Sequence, residues 1–460
     1  MPLEPEYIDQ FHEIIQSKDV LKTREYLNSR NISDVAELIY EFPNLESQII
    51  GNLSIHRASS TFKILDVPTQ KRIIQELPPF TTAELLNDLS ADDRTSFLEE
   101  LPSEVVKELI KTLDPEERKI TLSLLGYPEG SVGRLMTPDY IAVQKDWTVR
   151  EVIDHIREVG KDSETIDVIY VVDDKGVFID DVRIREIILA NPEKKIEDII
   201  DNRYIALNVN DAQETAGEAF KMNNRVALPV LDDKRVLLGI VTIDDVLWIT
   251  QEEFSEDIQK IGGTEALDEP YLEMPLLKLF RKRIVWLVIL FLSEMLTATA
   301  MAYFEDEIAK AVVLALFVPL IISSGGNSGS QASTLIIQAM ALGELTIADW
   351  FRVIRRELLS GLLLGTVLGI IGFCRIMLWT LIFPHTYGPH GILVAITVGV
   401  ALIGVVLWGT IAGSMLPIVL KKFGADPATS SAPFVATLVD VTGLVIYFSV
   451  AMVIMQGILH

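Results

Sequence analysis

Five long apolar stretches, all beyond residue 283, constrain this chain more than any other feature. They cover residues 284–303, 311–342, 358–382, 392–420 and 433–458. Crossing a bilayer takes ~20 mostly apolar residues, and each stretch meets that length. Charge follows the same division. Residues 284–460 carry nine acidic and seven basic side chains, whereas residues 1–283 carry 56 acidic and 33 basic, a net charge of −23. The first part therefore reads as an acidic, water-facing region and the second as a membrane domain. Such acidity excludes a nucleic-acid partner, which needs a basic footprint. It suits metal cations, which concentrate in negative fields. The single cysteine, Cys374, leaves neither an internal disulfide nor a thiol metal cluster. Met1-Pro2-Leu3-Glu4-Pro5-Glu6 lacks the basic and apolar segments of a cleaved signal.

The flanks of the spans alternate in charge. Arg281-Lys282-Arg283 precedes the first stretch, Arg352, Arg355 and Arg356 lie between the second and third, and Lys421 and Lys422 lie between the fourth and fifth. The other loops hold Glu305, Asp306, Glu307 and Lys310, or, over 384–390, no Lys or Arg. The positive-inside rule then places the N-terminal region in the cytoplasm and the C-terminus outside. A multi-pass protein of the cell (inner) membrane is expected, with the lipid bilayer as its environment.

Polar residues inside the apolar stretches carry the functional information. Asp440 stands in the fifth stretch with no basic residue beside it. A carboxylate costs about 3 kcal/mol or more to place in hydrocarbon, so it must face water, a partner or an ion, which points to a cation path. The second stretch is purely apolar only over 311–322, too short to cross. It continues through Ser323-Ser324-Gly325-Gly326-Asn327-Ser328-Gly329-Ser330-Gln331. Polar, glycine-rich backbone at membrane depth lines a wet cavity or is buried in protein. A pore wall of Gly325, Gly326, Ser328 and Gln331, joined by Thr437, is the expectation; a helix-packing face is the alternative. Glu294 and Arg375, in the first and third stretches, could pair with each other. Asp426, in Gly424-Ala425-Asp426-Pro427, could cap a helix, receive an ion, or do both.

The water-facing region holds two repeats. Leu65-Asp66, Leu89-Ser90 and Leu113-Asp114 recur every 24 residues. Each Asp or Ser is a helix N-cap candidate. Apolar residues follow at helical spacing: Ile73, Ile74 and Leu77, then Phe97, Leu98 and Leu101, then Leu122 and Leu125. Stacked helix pairs in a small superhelix are expected. The second repeat has a period of 59 residues: Ile169-Tyr170-Val171-Val172-Asp173-Asp174-Lys175 matches Leu228-Pro229-Val230-Leu231-Asp232-Asp233-Lys234. Each copy reads as strand, turn, strand, helix. The pair resembles tandem CBS (cystathionine-beta-synthase) domains, which commonly sense nucleotides. Thr242-Ile243-Asp244-Asp245 fits that family's T-x-x-D pattern, so Thr242 and Asp245 are the candidate nucleotide residues, with ATP as the candidate ligand. Arg183-Ile184-Arg185-Glu186 in the first copy departs from it. An amphipathic acidic helix with Glu252, Glu253, Glu256 and Asp257 follows and leads to the first span.

The whole chain resembles the MgtE family of magnesium channels. Gly325-Gly326-Asn327-Ser328-Gly329-Ser330-Gln331-Ala332-Ser333-Thr334-Leu335, Asp426-Pro427-Ala428 and Leu438-Val439-Asp440-Val441-Thr442-Gly443-Leu444 carry the likeness. It implies a multidomain fold: an acidic α-helical superhelix as N domain (1–130), α/β tandem CBS domains (131–250), a connecting, plug-type helix (251–283) and a five-helix transmembrane domain (284–460). It also implies a homodimer with a pore built from the second and fifth spans. By position, Asp440 becomes the selectivity carboxylate and Asp426 a second ligand near the cytoplasmic mouth. Asn327 is placed to accept hydrogen bonds from the ion's waters. Asp245, Glu253, Glu256 and Asp257 become sensor ligands, whereas Trp248 stands where an acid is often found. Asp88, Asp92 and Asp93 are exposed-face candidates on the N domain.

The implied function is Mg²⁺ uptake, with Mg²⁺ both transported and regulatory, closing the path by binding the acidic cytoplasmic domains. Another divalent ion (Co²⁺, Mn²⁺, Ni²⁺) is the alternative, although an all-oxygen ligand set disfavours softer metals. A CBS-regulated anion channel ranks below both, because the unpaired intramembrane charge is acidic. An enzyme is not expected: the histidines at 12, 56, 155, 385, 390 and 460 avoid the span cores, and no His-Glu-x-x-His motif occurs.

Overall fold

The computed structural model describes residues 5–272, 274–383, 387 and 390–456. The readings of Met1–Glu4, most of loop 384–390 with His385, the last residues of the fifth stretch and His460 lie outside the described residues. The chain divides into two compact units, Met1–Gln251 and Glu252–His460.

The first unit opens with short helices, among them Glu46–Gly51, Ile55–Phe62, Val67–Glu76, Pro79–Asp88, Ala91–Glu99 and Pro115–Leu124. Each packs on the helix two places along the chain, which is the stacking of a superhelix. The 24-residue repeat explains the spacing. Asp66 is a working cap, accepting from Thr69 N at 2.8 Å. Ser90 and Asp114 stand at the N-cap positions without a side-chain cap bond. Ile73, Leu77, Phe97 and Leu98 are buried in one core with Phe62 and Leu86. The third repeat departs from expectation: Leu122 is exposed and Leu124 is buried instead.

Two three-stranded sheets follow, in the order β1(Ala142–Gln144)-β2(Val168–Val172)-β3(Phe178–Arg183) and β4(Leu207–Asn208)-β5(Ala227–Leu231)-β6(Leu237–Thr242). In each, the first pair is parallel and the second antiparallel. The 59-residue period is visible in the turns. Asp173 Oδ1 accepts from the amides of Lys175 and Val177, and Asp232 Oδ1 from those of Lys234 and Val236, all at 2.8 Å. Such Asx turns tie strand to strand locally, so both copies fold alike.

The helix Ile243–Ile261 carries the chain out of the second sheet. Among the described residues, the second unit has five helices long and apolar enough to cross a membrane, at Leu276–Tyr303, Val312–Ala341, Ile347–Ile382, Gly391–Lys422 and Ala432–Ile454. The first begins earlier than its apolar stretch, so Arg281, Lys282 and Arg283 lie on helix.

Glycine sets how closely these helices pack. A methyl group on Gly369 would sit 2.6 Å from Gly399 O, and one on Gly365 2.9 Å from Ile403 Cα, so the third and fourth spans touch backbone to backbone. The second and fourth do the same, with a Gly409 methyl 2.5 Å from Gly325 O and a Gly413 methyl 2.1 Å from Gly329 O. Small residues permit this approach where lipid offers no hydrophobic drive. Gly413→Val forces the two backbones apart and is expected to cost about 3 kcal/mol. Thermal unfolding in detergent checks it, as a large fall in melting temperature and loss of the monodisperse species.

Candidate ion path and metal centres

The second span is a short 3₁₀ turn, Val312–Phe317, running into an unbroken α-helix, Val318–Ala341. The polar, glycine-rich run is therefore helical, and its glycines serve packing. Gly325 is wedged against Val405 and Val439, and Gly329 against Val435 and Gly409. Gly325 and Thr437 are buried within the bundle of one chain; Thr437 donates its hydroxyl to Pro433 O (2.9 Å). Ser328 is buried too, with a hydroxyl lacking any partner. Asn327 and Gln331 occupy the opposite, exposed face, where Asn327 Nδ2 reaches Ser323 Oγ at 3.4 Å.

Gly326 is the residue that meets Asp440. A methyl group there would stand 3.3 Å from Asp440 Oδ1 and 3.4 Å from Ala436 Cβ. Hydroxyls lock this register: Ser330 Oγ donates to Ala432 O at 2.9 Å, and Ser333 Oγ to Ser430 O at 3.0 Å. The fifth helix, Ala432–Ile454, carries no basic residue. Glu294 stands on the first span, Leu276–Tyr303, and is exposed in the single chain. The pairing of Glu294 with Arg375 does not form among the described residues; the Arg375 guanidinium lies 3.5 Å from the Trp379 ring centre on its own helix.

A second cluster lies at the foot of the fifth span. Asp426 Oδ1 accepts from Ala428 N at 2.8 Å, the expected cap. Its other oxygen holds Lys260 Nζ at 2.7 Å, and Lys260 also meets Glu256 Oε1 at 2.5 Å. Burial, and then the charge of Asp426, push the Asp257 carboxyl above its usual range. Glu253 and Trp248 stand on the same helix, Trp248 exposed. Lys260 was not among the expected site residues, although it is the basic residue closing an acidic helix.

A third cluster lies within the first unit. One oxygen each from Asp92, Asp93 and Asp245 lies within 4.8 Å of the others. Asp92 is buried rather than exposed, and its Oδ1 has no hydrogen-bond partner. Burial, then the charges of Asp245 and Asp93, push Asp92 well above the ordinary carboxylate range. Asp245 is pushed up to about 7 by burial, with Asp244 and Asp93 adding to it, although Thr242 donates to it at 2.5 Å. Lys63, 3.2 Å from Asp93, supplies a positive charge, and Glu164 adds a half-buried carboxyl raised chiefly by desolvation. An orphaned buried carboxylate oxygen beside two more carboxylates fits a hard cation taking oxygen ligands. Asp88 stays apart, held by His56 (2.8 Å) and Ser59 (2.5 Å).

Comparison with known proteins now decides the family. Residues 318–450 match the MgtE divalent cation transporter family, 30–130 the MgtE intracellular N domain, and 132–193 and 196–250 the CBS domain. The magnesium transporter MgtE of Thermus thermophilus is 38% identical over 346 residues, covering 75% of each chain. That of Bacillus subtilis is 28% identical over 419 residues, 91% of this chain and 90% of the relative. The chain belongs to the MgtE family. It shares the fold of the cytosolic domain of the Mg²⁺ channel MgtE crystallised with ATP, at 31% identity and a TM-score of 0.51, over 53% of this chain and 99% of that one.

In this MgtE-family chain the CBS pair holds a cavity of about 220 Å³, lined by Asp181, Arg183, Glu186, Ile199, Asp201 and Arg225. Arg183 and Glu186 are the first copy's counterparts of Thr242 and Asp245, one 59-residue period away. At Thr242 and Asp245 the side chains bond each other, and Asp245 joins Asp92 and Asp93.

Proposed function

We propose that the chain is a Mg²⁺-selective path of the cell membrane that admits Mg²⁺ and is closed when Mg²⁺ binds its acidic cytoplasmic regions. The observation carrying this reading is Asp440, an intramembrane carboxylate without a basic partner, facing the side-chain-free Gly326. The relatives named as magnesium transporters support the ion's identity. Mg²⁺ sheds water reluctantly and is held by one or two carboxylates plus retained waters, which suits one Asp440 per copy. In a homodimer with the second and fifth spans at the two-fold axis, two Asp440 side chains repel until a divalent ion lies between them. Asn327 and Gln331, on the exposed face, would accept hydrogen bonds from the ion's waters. Ion flux in liposomes, comparing Mg²⁺, Ca²⁺, Mn²⁺ and Na⁺, tests the reading; equal flux of Na⁺ and Mg²⁺ overturns it.

For closure, the carboxylates themselves provide the driving force. Bare, Asp92, Asp93 and Asp245 repel one another across the helical region and the CBS pair; a bound cation supplies the missing positive charge. The same holds for Asp426, Glu256 and Asp257, with Glu253 nearby on the helix. Differential affinity of a cation for the gathered state is what moves such an equilibrium. The residues 1–130, 131–250 and 251–283 thus act as sensor, sensor and coupling helix, with the sensor in the cytoplasm and the C-terminus outside.

Lys260 competes with the metal at Asp426 and Glu256. Lys260→Met therefore lowers the Mg²⁺ concentration that half-inhibits flux, by about threefold for a partly exposed ion pair. A dose-inhibition series on the reconstituted variant measures it.

The cavity at Arg183 and Arg225 favours a second, compatible reading, nucleotide binding. Two guanidiniums suit phosphates and Glu186 suits ribose hydroxyls. ATP titration with Arg183→Ala as control tests it.

A further inference from the structure

We infer that Glu294 is a second carboxylate of the ion path, level with Asp440, that sets how strongly the path attracts a divalent ion. This rests on the reading of Asp440 as the path's carboxylate. Two contacts pin the first span to the fifth. At one end Trp286 Nε1 donates to Ser431 Oγ at 3.1 Å, and the Trp286 ring lies 6.3 Å from that of Phe434. Toward the other end Phe304 stacks on Phe448, with ring centres 5.0 Å apart and planes at 22°. The Ser431 partner lies 145 residues after Trp286, and the Phe448 partner 144 residues after Phe304. Two helices that keep this offset rise in step, in the same direction, at ~1.5 Å per residue. Glu294 is thereby level with residues 438–439, one position from Asp440.

Its neighbours support a path rather than packing. Trp286, Thr297 and Phe304 share one helical stripe, being 11 and 18 residues apart. Thr297 is the buried residue of this 28-residue helix, at 8% exposure, and its hydroxyl has no partner. Glu294 flanks that stripe and is exposed in the single chain. The potential structural counter-ion, Arg375, lies on Trp379 instead. Two carboxylates at one depth in hydrocarbon, neither with a basic partner, are costly unless a cation passes between them. A divalent ion neutralises the pair, whereas a monovalent ion leaves one negative charge.

Removing one unit charge at this range raises the half-saturating Mg²⁺ concentration about fivefold. The test is Mg²⁺ flux by the full chain in liposomes at low and high NaCl. Glu294→Gln is expected to raise half-saturation with maximal flux retained, to narrow the preference for Mg²⁺ over Na⁺, and to lose its effect in high salt. Glu294→Asp should behave as wild type; Glu294→Ser replaces the Gln variant if that fails to fold. Unchanged half-saturation in low salt, or an equal defect in Glu294→Asp, overturns the inference. Asp440→Ala, run alongside, separates the two failures: undiminished flux there sinks the path itself, whereas lost flux there with a silent Glu294→Gln sinks only the role of Glu294.

Discussion

Asp440→Ala abolishes Mg²⁺ uptake, with flux falling by about two orders of magnitude or more. The fifth span then keeps no carboxylate facing Gly326, and a hydrated divalent ion is left with Glu294 alone at that depth. The substitution series sharpens this. Asp440→Asn preserves shape and hydrogen bonding while removing charge, so it stays nearly as inactive as the alanine variant. Asp440→Glu keeps the charge but adds a methylene where a Gly326 methyl would already stand only 3.3 Å from the carboxylate oxygen. It is expected to recover a small fraction of flux, and Asp440→Glu with wild-type activity would show that the close approach to Gly326 is irrelevant. Isotopic or dye-reported Mg²⁺ flux, normalised to reconstituted protein, measures all three.

The second large effect is on stability, and it depends on pH. Asp245 is held at about 7, against an ordinary aspartate value near 3.8. Between pH 4 and 7 the unfolded chain releases this proton while the folded chain keeps it. Stability is therefore full below the unfolded value, falls as pH rises through 7, and levels off above it. Asp92, raised in the same direction, adds to the loss. Without divalent ions the contact of Asp92 and Asp93 with Asp245 should weaken by a few kcal/mol from pH 5 to pH 8. Mg²⁺ at pH 8 should restore it. Hydrogen exchange over residues 88–99, on the intact chain with and without Mg²⁺, measures this opening; protection independent of pH in Mg²⁺-free buffer refutes it. Asp92→Asn together with Asp245→Asn should remove both the pH dependence and the response to Mg²⁺ there.

Local chemistry made much of the fold legible in the sequence. Apolar length located all five membrane-capable helices, and the 24- and 59-residue periods marked the superhelix and the paired sheets because caps and Asx turns act over three or four residues. Contacts between distant segments were not legible. The glycines of 325–331 suggested an open wall; their partners, Gly409 and Gly413, lie more than 80 residues on and convert the run into a packing helix. Spacing marks Asp426 as a cap candidate, yet cannot pair it with Lys260, 166 residues away. The sequence marks no buried face for Asp92, because its helix, Ala91–Glu99, alternates charge and apolarity too weakly. Charge alone makes Glu294 and Arg375 natural partners, but Arg375 stacks on Trp379 of its own helix instead.

The Lys260 bridge has one consequence for how such a protein reads its ion. With an ammonium between Asp426 and Glu256, binding of Mg²⁺ there is a cation exchange rather than an addition to a vacant site. An exchange changes the local charge by less than the ion's full valence, so ionic strength shifts its midpoint less. It also trades one state in which the helix is held for another, so this position grades the strength of a clasp instead of making or breaking it. Lys63 stands in the same relation to Asp93 in the first unit, so there too an arriving cation exchanges with an ammonium.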